Sequence, residues 1–304
     1  MRVTTAHSFN IAIDELQRRQ QGLAQAQLQL TSGKRVQRAS DDPTAAARAE
    51  RALAAVARAD ADQRALQASR NAMTLTESAL GDAAELLQQA RETMVAVGNA
   101  SYTDGERAAL VTRLSGLRDQ LLSVANRGDG IGGYLFGGQG TGSPPFVNVP
   151  GGVGVTYTGT AGATLTASTE PLPLSVDGEP AWMHAPSGGG VFAVLDRAIA
   201  DLTTSGRTNA QVTLTVQDTL TGLDTSMHAL NGLRARVGEV LQRTDMAEAR
   251  IAASRLHGQT ERSNAEDLDM VQAISEFQNR QTGFDAALRA YAMVQRMSLF
   301  QHLG

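Results

Sequence analysis

Cysteine is missing altogether from the 304 residues. That removes disulfides and thiolate-bound metals but leaves the compartment open. Aromatic residues make up only 4%, with Trp182 the single tryptophan, so a large aromatic-rich core is not expected. Lys34 is the sole lysine, a mark of Arg-rich usage more than of chemistry. The formal net charge is −4, which gives no electrostatic case for nucleic acid or an anionic membrane as partner. Nowhere do about 18 apolar residues follow one another, the length that a membrane span needs. Residues 1–16 carry neither the continuous apolar core nor the small-residue cleavage site of a secretory signal. Any export is expected to use a route that reads no such signal.

What is present is a heptad pattern interrupted by a joint. Phe9, Leu16, Leu23 and Leu30 recur every seven residues, with Ile13 beside them, which predicts a helix with one narrow apolar seam facing a partner helix. Residues 30–43 (LTSGKRVQRASDDP) hold the breakers. Gly33 suits a left-handed helix end, Ser40, Asp41 or Asp42 can cap the next helix, and Pro43 suits its first position. Beyond the joint, Leu66, Met73, Leu80, Leu87 and Met94 repeat every seven residues, with Ser69, Thr76, Ala83, Ala90 and Val97 interleaved. This predicts one helix from Pro43 to about Val97, roughly 80 Å long at about 1.5 Å per residue. After Gly98-Asn99, Thr103 and Glu106 read as a capping box for a further helix carrying Leu110, Leu114, Leu117, Leu121 and Val124, folded back as an antiparallel hairpin.

Composition changes at Arg127. Residues 128–190 hold 17 of the 30 glycines and seven of the eight prolines, and neither Lys nor Arg. Short β-branched runs at 146–149, 153–158, 163–169 and 172–176, separated by turns, predict a small antiparallel β domain inserted between helical halves. Helix resumes near Val191 and breaks at Ser205-Gly206. Heptads return with Val216, Leu223, Leu230 and Val237 and fade near Ile251. Phe277, Phe284 and Tyr291 repeat every seven residues near the end, with Leu288 and Val294 beside them and Leu299 and Phe300 closing the series. The expected fold is therefore mainly α with an inserted small β domain, and long antiparallel coiled-coil or helical-bundle arms from both termini. The expected division is 1–42 with 265–304 as terminal arms, 43–127 with 191–264 as the helical bundle, and 128–190 as an outer Gly/Pro-rich β domain. One narrow seam does not repay the ordering of an isolated arm, so both arms are expected to order on assembly.

No constellation of catalytic residues stands out. Residues 128–133 match G-x-G-x-x-G, but a helix precedes them and a Pro-rich segment follows, the reverse of what a dinucleotide site needs. Gly33-Lys34 lacks the outer glycine and the hydroxyl of a phosphate loop. The five histidines have no metal-ligand spacing, and no G-x-S-x-G is present.

The heptad helix running into GKRV and DDP resembles the N-terminal region of the bacterial flagellin family. The Tyr134-Leu135-Phe136-Gly137-Gly138 element followed by Pro145-Phe146, and the closing Ser298-Leu299-Phe300, are similar to the hook–filament junction members of that family. The resemblance implies a structural subunit of the bacterial flagellum and not an enzyme, with neither cofactor nor metal. It implies export without a cleaved signal through the flagellar type III apparatus, and an extracellular location. It further implies a junction ring whose partners are other copies of the chain, a hook-side junction protein, flagellin and a flagellar export chaperone. The expected assembly interface is then Phe9, Ile13, Leu16, Leu23, Leu30, Phe277, Phe284, Leu288, Tyr291, Val294, Leu299 and Phe300. A filament flagellin remains an alternative. On the heptads alone, so does a cytosolic coiled-coil scaffold or signalling protein.

Overall fold

The computed structural model describes residues 2–99, 103–140, 142–185 and 188–303; the side chains of 2–6, 8, 104 and 295–303 lie outside the description. Helix α1 (Arg2–Ser32) stops where Gly33 turns to φ 68°, its amide still donating to the Gln29 carbonyl at 2.9 Å. Helix α2 (Pro43–Val97) opens on Asp42, whose Oδ1 accepts the Ala45 amide at 2.9 Å. Helix α3 (Asp104–Ala125) starts at the expected capping box. There the Thr103 amide donates to the Glu106 carboxylate at 2.8 Å and the Glu106 amide to the Thr103 hydroxyl at 3.4 Å. A second box pairs Thr208 with Gln211 at the start of α6 (Asn209–Glu266). Asp269 caps α7 (Met270–Leu303) by accepting the Val271 and Gln272 amides.

The chain folds as two compact units, Met1–Ala59 with Ala253–Gly304, and Asp60–Ala252. Asp60–Ala252 contains the main apolar core. Leu66, Met73, Leu80, Leu87 and Met94 are all buried, as are Ser69, Thr76, Ala83, Ala90 and Val97 beside them. Most of these α2 residues meet Leu114, Leu117, Leu121 and Val124 of α3 and Leu223, Leu230 and Val237 of α6. Helix α5 (Gly190–Thr203) completes the core with Val191, Phe192, Val194, Leu195 and Ala198. The seven-residue spacing of α2 thus marks a two-row buried face, since residues three and four apart share one side of a helix. Outside the core, Arg91 to Asp224, Arg234 to Glu77 and Arg70 to Glu248 bridge α2 and α6 in antiparallel order.

The Gly/Pro-rich segment is less regular than its sequence suggests. β1 (Phe146–Asn148) and β2 (Val155–Tyr157) pair antiparallel, with Phe146 opposite Tyr157. The runs at 163–169 and 172–176 form only an isolated bridge, Leu165 to Pro173. Pro171 and Pro173 have no amide to give to a ladder, which limits the pairing. These residues instead make a strap along the bundle. Leu172 is buried with Leu66 and Ala247. Thr169 donates twice to Asp62, Ser69 donates to the Pro173 carbonyl at 2.6 Å, and Glu170 pairs with Arg243 and Arg250. At the strap's base, Gly138 (φ 69°) passes so close to the Thr160 carbonyl that an added Cβ would lie 1.7 Å from its oxygen.

Five of the few aromatics are gathered together: Phe136, Phe146, Tyr157, Trp182 and Phe192. Trp182, in the one-turn helix α4 (Glu179–Trp182), lies edge-on to Phe136 at 5.4 Å and stacks on Phe192 at 6.0 Å. Phe146 packs against Trp182, Tyr157 and Phe192. Next to this cluster the buried Arg118 donates to both oxygens of Asp196 (2.9 and 3.1 Å) and to Asn148 at 2.6 Å, with its guanidinium over the Phe192 ring. Asp196 also accepts the Gly154 amide at 2.8 Å. This one network ties α3, α5 and the hairpin together.

Candidate assembly surface

Met1–Ala59 with Ala253–Gly304 is built differently. Helices α1 and α7 run antiparallel along one another: the Phe9 and Tyr291 rings are 5.8 Å apart, Arg280 donates to the Gly22 carbonyl at 3.0 Å, and the Leu268 amide donates to the Gly33 carbonyl at 3.0 Å. Arginines lie over the glycines of this pair: the Arg19 guanidinium covers Gly283 and that of Arg280 covers Gly22.

What this pairing buries is limited. Among the described side chains of this unit, the buried apolar ones are Ala26, Val36, Ala45, Ala49, Ala52, Ala59 and Ala265. No Leu, Ile, Met or Phe among them is buried. Of the residues expected at the interface, Ile13, Leu16, Leu23, Leu30, Phe277, Phe284 and Tyr291 are half-buried, while Phe9, Leu288 and Val294 are exposed. Leu299 and Phe300 lie outside the described side chains. The seam residues are therefore partly covered within the chain.

A further apolar set off the seven-residue register also faces outward. Ile11 and Leu28 are exposed on α1, and Met270, Val271 (82%), Ile274 and Met293 on α7. The signal for them was present in the sequence: apolar residues at positions that a two-helix seam leaves without a partner. The described side chains of the unit present apolar groups on more than one face and enclose no large apolar residue. Among the described residues there is no His/Cys/Asp/Glu cluster that could hold a metal ion, and no helix is long and apolar enough to cross a membrane.

The joint carries ion pairs of its own, Lys34 to Glu266 and Arg35 to Asp42. The Asp42 carboxyl is held below the usual carboxylate range, first by the Ala45 amide that it caps and then by the Arg35 guanidinium at 3.2 Å. The side opposite the joint was not read from the sequence. It consists of Ala265, Glu266 and Leu268, whose carbonyl and amide groups bond across to residues 33–36.

Residues 3–141 match the bacterial flagellin N-terminal helical region, and residues 220–303 match the bacterial flagellin C-terminal helical region. Flagellar hook-associated protein 3 of Salmonella typhimurium is 32% identical over 304 residues, covering 90% of this chain and 90% of that protein. The chain belongs to the flagellar hook-associated protein 3 family. The Escherichia coli member is 31% identical over 293 residues at the same coverage. The fold is also found in crystal structures. Xanthomonas campestris FlgL matches with a TM-score of 0.61 at 20% identity, over 71% of this chain and 99% of that one. The flagellar junction protein FlgL of Legionella pneumophila matches with a TM-score of 0.55 at 15% identity, over 61% and 95%. The helical regions typical of flagellins thus flank the Gly/Pro-rich segment, which falls largely between the two matched stretches in sequence.

Proposed function

We propose that this chain is the junction subunit of a bacterial flagellum, forming a ring between a hook-side junction protein and the flagellin filament. The protein is a structural subunit and works by packing, not by catalysis. Residues 1–42 and 265–304 serve as polymerisation arms, 43–127 with 191–264 as the bundle behind them, and 128–190 as the outer domain. The observation that carries this reading is the makeup of the arms. In a hook-associated protein 3 family member, the described side chains of α1 bury only Ala26 and those of α7 bury none, and both helices leave every described Leu, Ile, Met and Phe partly or fully exposed. Such helices gain their missing burial from neighbouring copies. Partners are then further copies of the chain, the hook-side junction protein, flagellin and, before export, a flagellar chaperone that shields the arms. The chain leaves the cell by the flagellar type III route, without a cleaved signal.

Deleting the gene in its host tests this directly. Hooks without filaments, with flagellin shed into the medium, are expected by electron microscopy and immunoblot. Filaments of normal length on the cells would overturn the junction role. Leu16→Asp or Phe284→Asp is expected to give the same phenotype while leaving the secondary structure of residues 60–252 intact, and normal swimming in either would contradict the assignment of the arms.

A further inference from the structure

One side chain of Asp60–Ala252 stands out from its surface. Ile131 is 91% exposed, the highest value among the described large apolar residues. It sits at the tip of a short finger, residues 127–135, between α3 and β1. The Leu135 amide donates to the Arg127 carbonyl at 3.0 Å, Gly128 bridges to Tyr134, and the Asp129 amide donates to the Gly133 carbonyl at 3.0 Å. The Asp129 carboxylate closes the tip, accepting the Ile131 amide at 2.9 Å and the Gly133 amide at 2.8 Å. Gly130 and Gly132, at φ 85° and 101°, turn the backbone on either side of Ile131. The base is anchored too: Leu135 and Phe136 are buried in the main core, and Arg127 pairs with Asp82 of α2 at 2.6 Å.

Single apolar residues on a surface are ordinary. A stapled tip that displays one is not. Ile131 packs on little within the chain, so fixing its backbone adds nothing to the core and costs conformational freedom. The same fixing favours insertion into a partner, because the ordering is complete before contact and the side chain is ready to be buried.

Charge narrows the choice of partner. Residues 128–190 carry Asp129, Glu170, Asp177 and Glu179 and neither Lys nor Arg. Asp60–Ala252 as a whole has 20 acidic residues against 13 basic ones, whereas Met1–Ala59 with Ala253–Gly304 has 11 against 14. That second unit leaves Leu53 (42%) and Leu256 (64%) exposed, with Arg51, Arg58 and Arg255 exposed in the same stretches of α2 and α6. Gly258 lies against Ala52 and Val56, which sets the two leucines at one level of the helix pair. Apolar side chains among arginines complement an apolar tip on an acidic segment.

We propose that Ile131 is an anchor that docks on a second copy of the chain, at the start of its α2 and the end of its α6. The proposal rests on the junction-subunit reading. Anchor and receiving surface belong to different parts of the chain, so every copy gives one such contact and takes one, the heterologous arrangement from which rings are built.

The test uses the full chain in its host. The photoreactive residue p-benzoylphenylalanine, placed at position 131 and irradiated in isolated flagella, is expected to cross-link the chain to a second copy, with the bond mapping by mass spectrometry to 43–59 or 253–266. Ile131→Asp and Ile131→Ala are expected to raise filament shedding under shear about tenfold or more, the factor that follows from losing one buried isoleucine side chain. Ile131→Leu is expected to hold filaments as the parent does. All three variants should melt as the parent does in calorimetry of the dilute chain, because the side chain is exposed there. Cross-links only to flagellin or the hook-side protein, cross-links to 60–252 of a second copy, or no cross-link would each overturn the anchor. So would Ile131→Asp filaments that resist shear like the parent's, or a lowered melting temperature, which would assign Ile131 to the fold. A chain missing from the isolated flagella would overturn the junction reading itself, and the anchor with it.

Discussion

The contrast between the two units leads to a paired test with Leu80→Ala and Phe284→Ala. Leu80 is 1% exposed and sits in the main core among α2, α3, α5 and α6 residues. Removing a buried leucine to its Cβ costs about 2–5 kcal/mol, because the lost burial and the remaining cavity both count. For a unit the size of Asp60–Ala252, each kcal/mol lowers the melting temperature by about 2–4 °C, so a drop of roughly 4–20 °C is expected. Phe284 is the larger side chain, yet it is only half-buried, in a unit whose buried apolar residues are alanines and Val36. Its truncation removes partial burial worth about 1 kcal/mol, and that loss belongs to the arms. Differential scanning calorimetry of the dilute monomer is expected to show the main transition lowered by Leu80→Ala and unmoved by Phe284→Ala. Assembly should show the reverse order of sensitivity. If Phe284→Ala lowers the main transition as far as Leu80→Ala does, the arms share a cooperative core with the bundle and the reasoning fails.

Other substitutions follow from the same geometry. Arg118→Met removes the guanidinium that donates to both oxygens of the mostly buried Asp196, which keeps the Gly154 amide as a donor. Urea unfolding should show a loss of about 2–4 kcal/mol, and adding Asp196→Leu should recover part of it, since breaking one half of a buried pair costs more than removing both. Leu172→Ala empties the contact with Leu66 and Ala247. Limited proteolysis should then cut the strap at 164–176 markedly faster, with the core melting little changed. Acid should fray two helix starts. Asp42 is held low by the Ala45 amide, and Glu106 by the Thr103 amide and hydroxyl. A depressed folded-state value means that the contribution is complete above the unfolded value near 4 and is lost as pH falls through the folded one. Protection of the residue 45 and 103 amides, taken relative to the intrinsic exchange rate at each pH, should therefore stay constant near neutral pH and fall below about pH 4.

Much of this architecture can be read from local pattern. The two interleaved rows of α2 are visible because a seven-residue repeat held over five turns of the pattern leaves one buried face, and the structure buries both rows. Thr103 and Glu106 are visible because a capping box is encoded within four residues. Thr208 and Gln211 offer the same signal at the start of α6. Glycines at 130 and 132 with Asp129 between helix and hairpin are visible as a turn, and the Asp129 carboxylate indeed accepts the Ile131 and Gly133 amides. The strap is not visible. Its residues carry no period, and its position depends on Asp62, Ser69 and Arg250, which are far away in sequence. For the same reason the joint is half legible. Gly33, Asp42 and Pro43 announce a break, but no local feature announces that Glu266 and Leu268 will bond to it. The arm seams are legible as apolar heptads. Their partial exposure, and the second outward set that includes Ile11 and Val271, arise from having only one partner helix within the chain.

The most direct measurement is hydrogen exchange across residues 9–30, in the dilute monomer and again in the assembled junction. The account predicts exchange close to that of an unprotected chain in the monomer and slowing on the order of a hundredfold or more on assembly, because local opening is suppressed where burial is gained. Protection in the monomer equal to that of residues 73–94 would contradict it, since the arms would then be complete without neighbours.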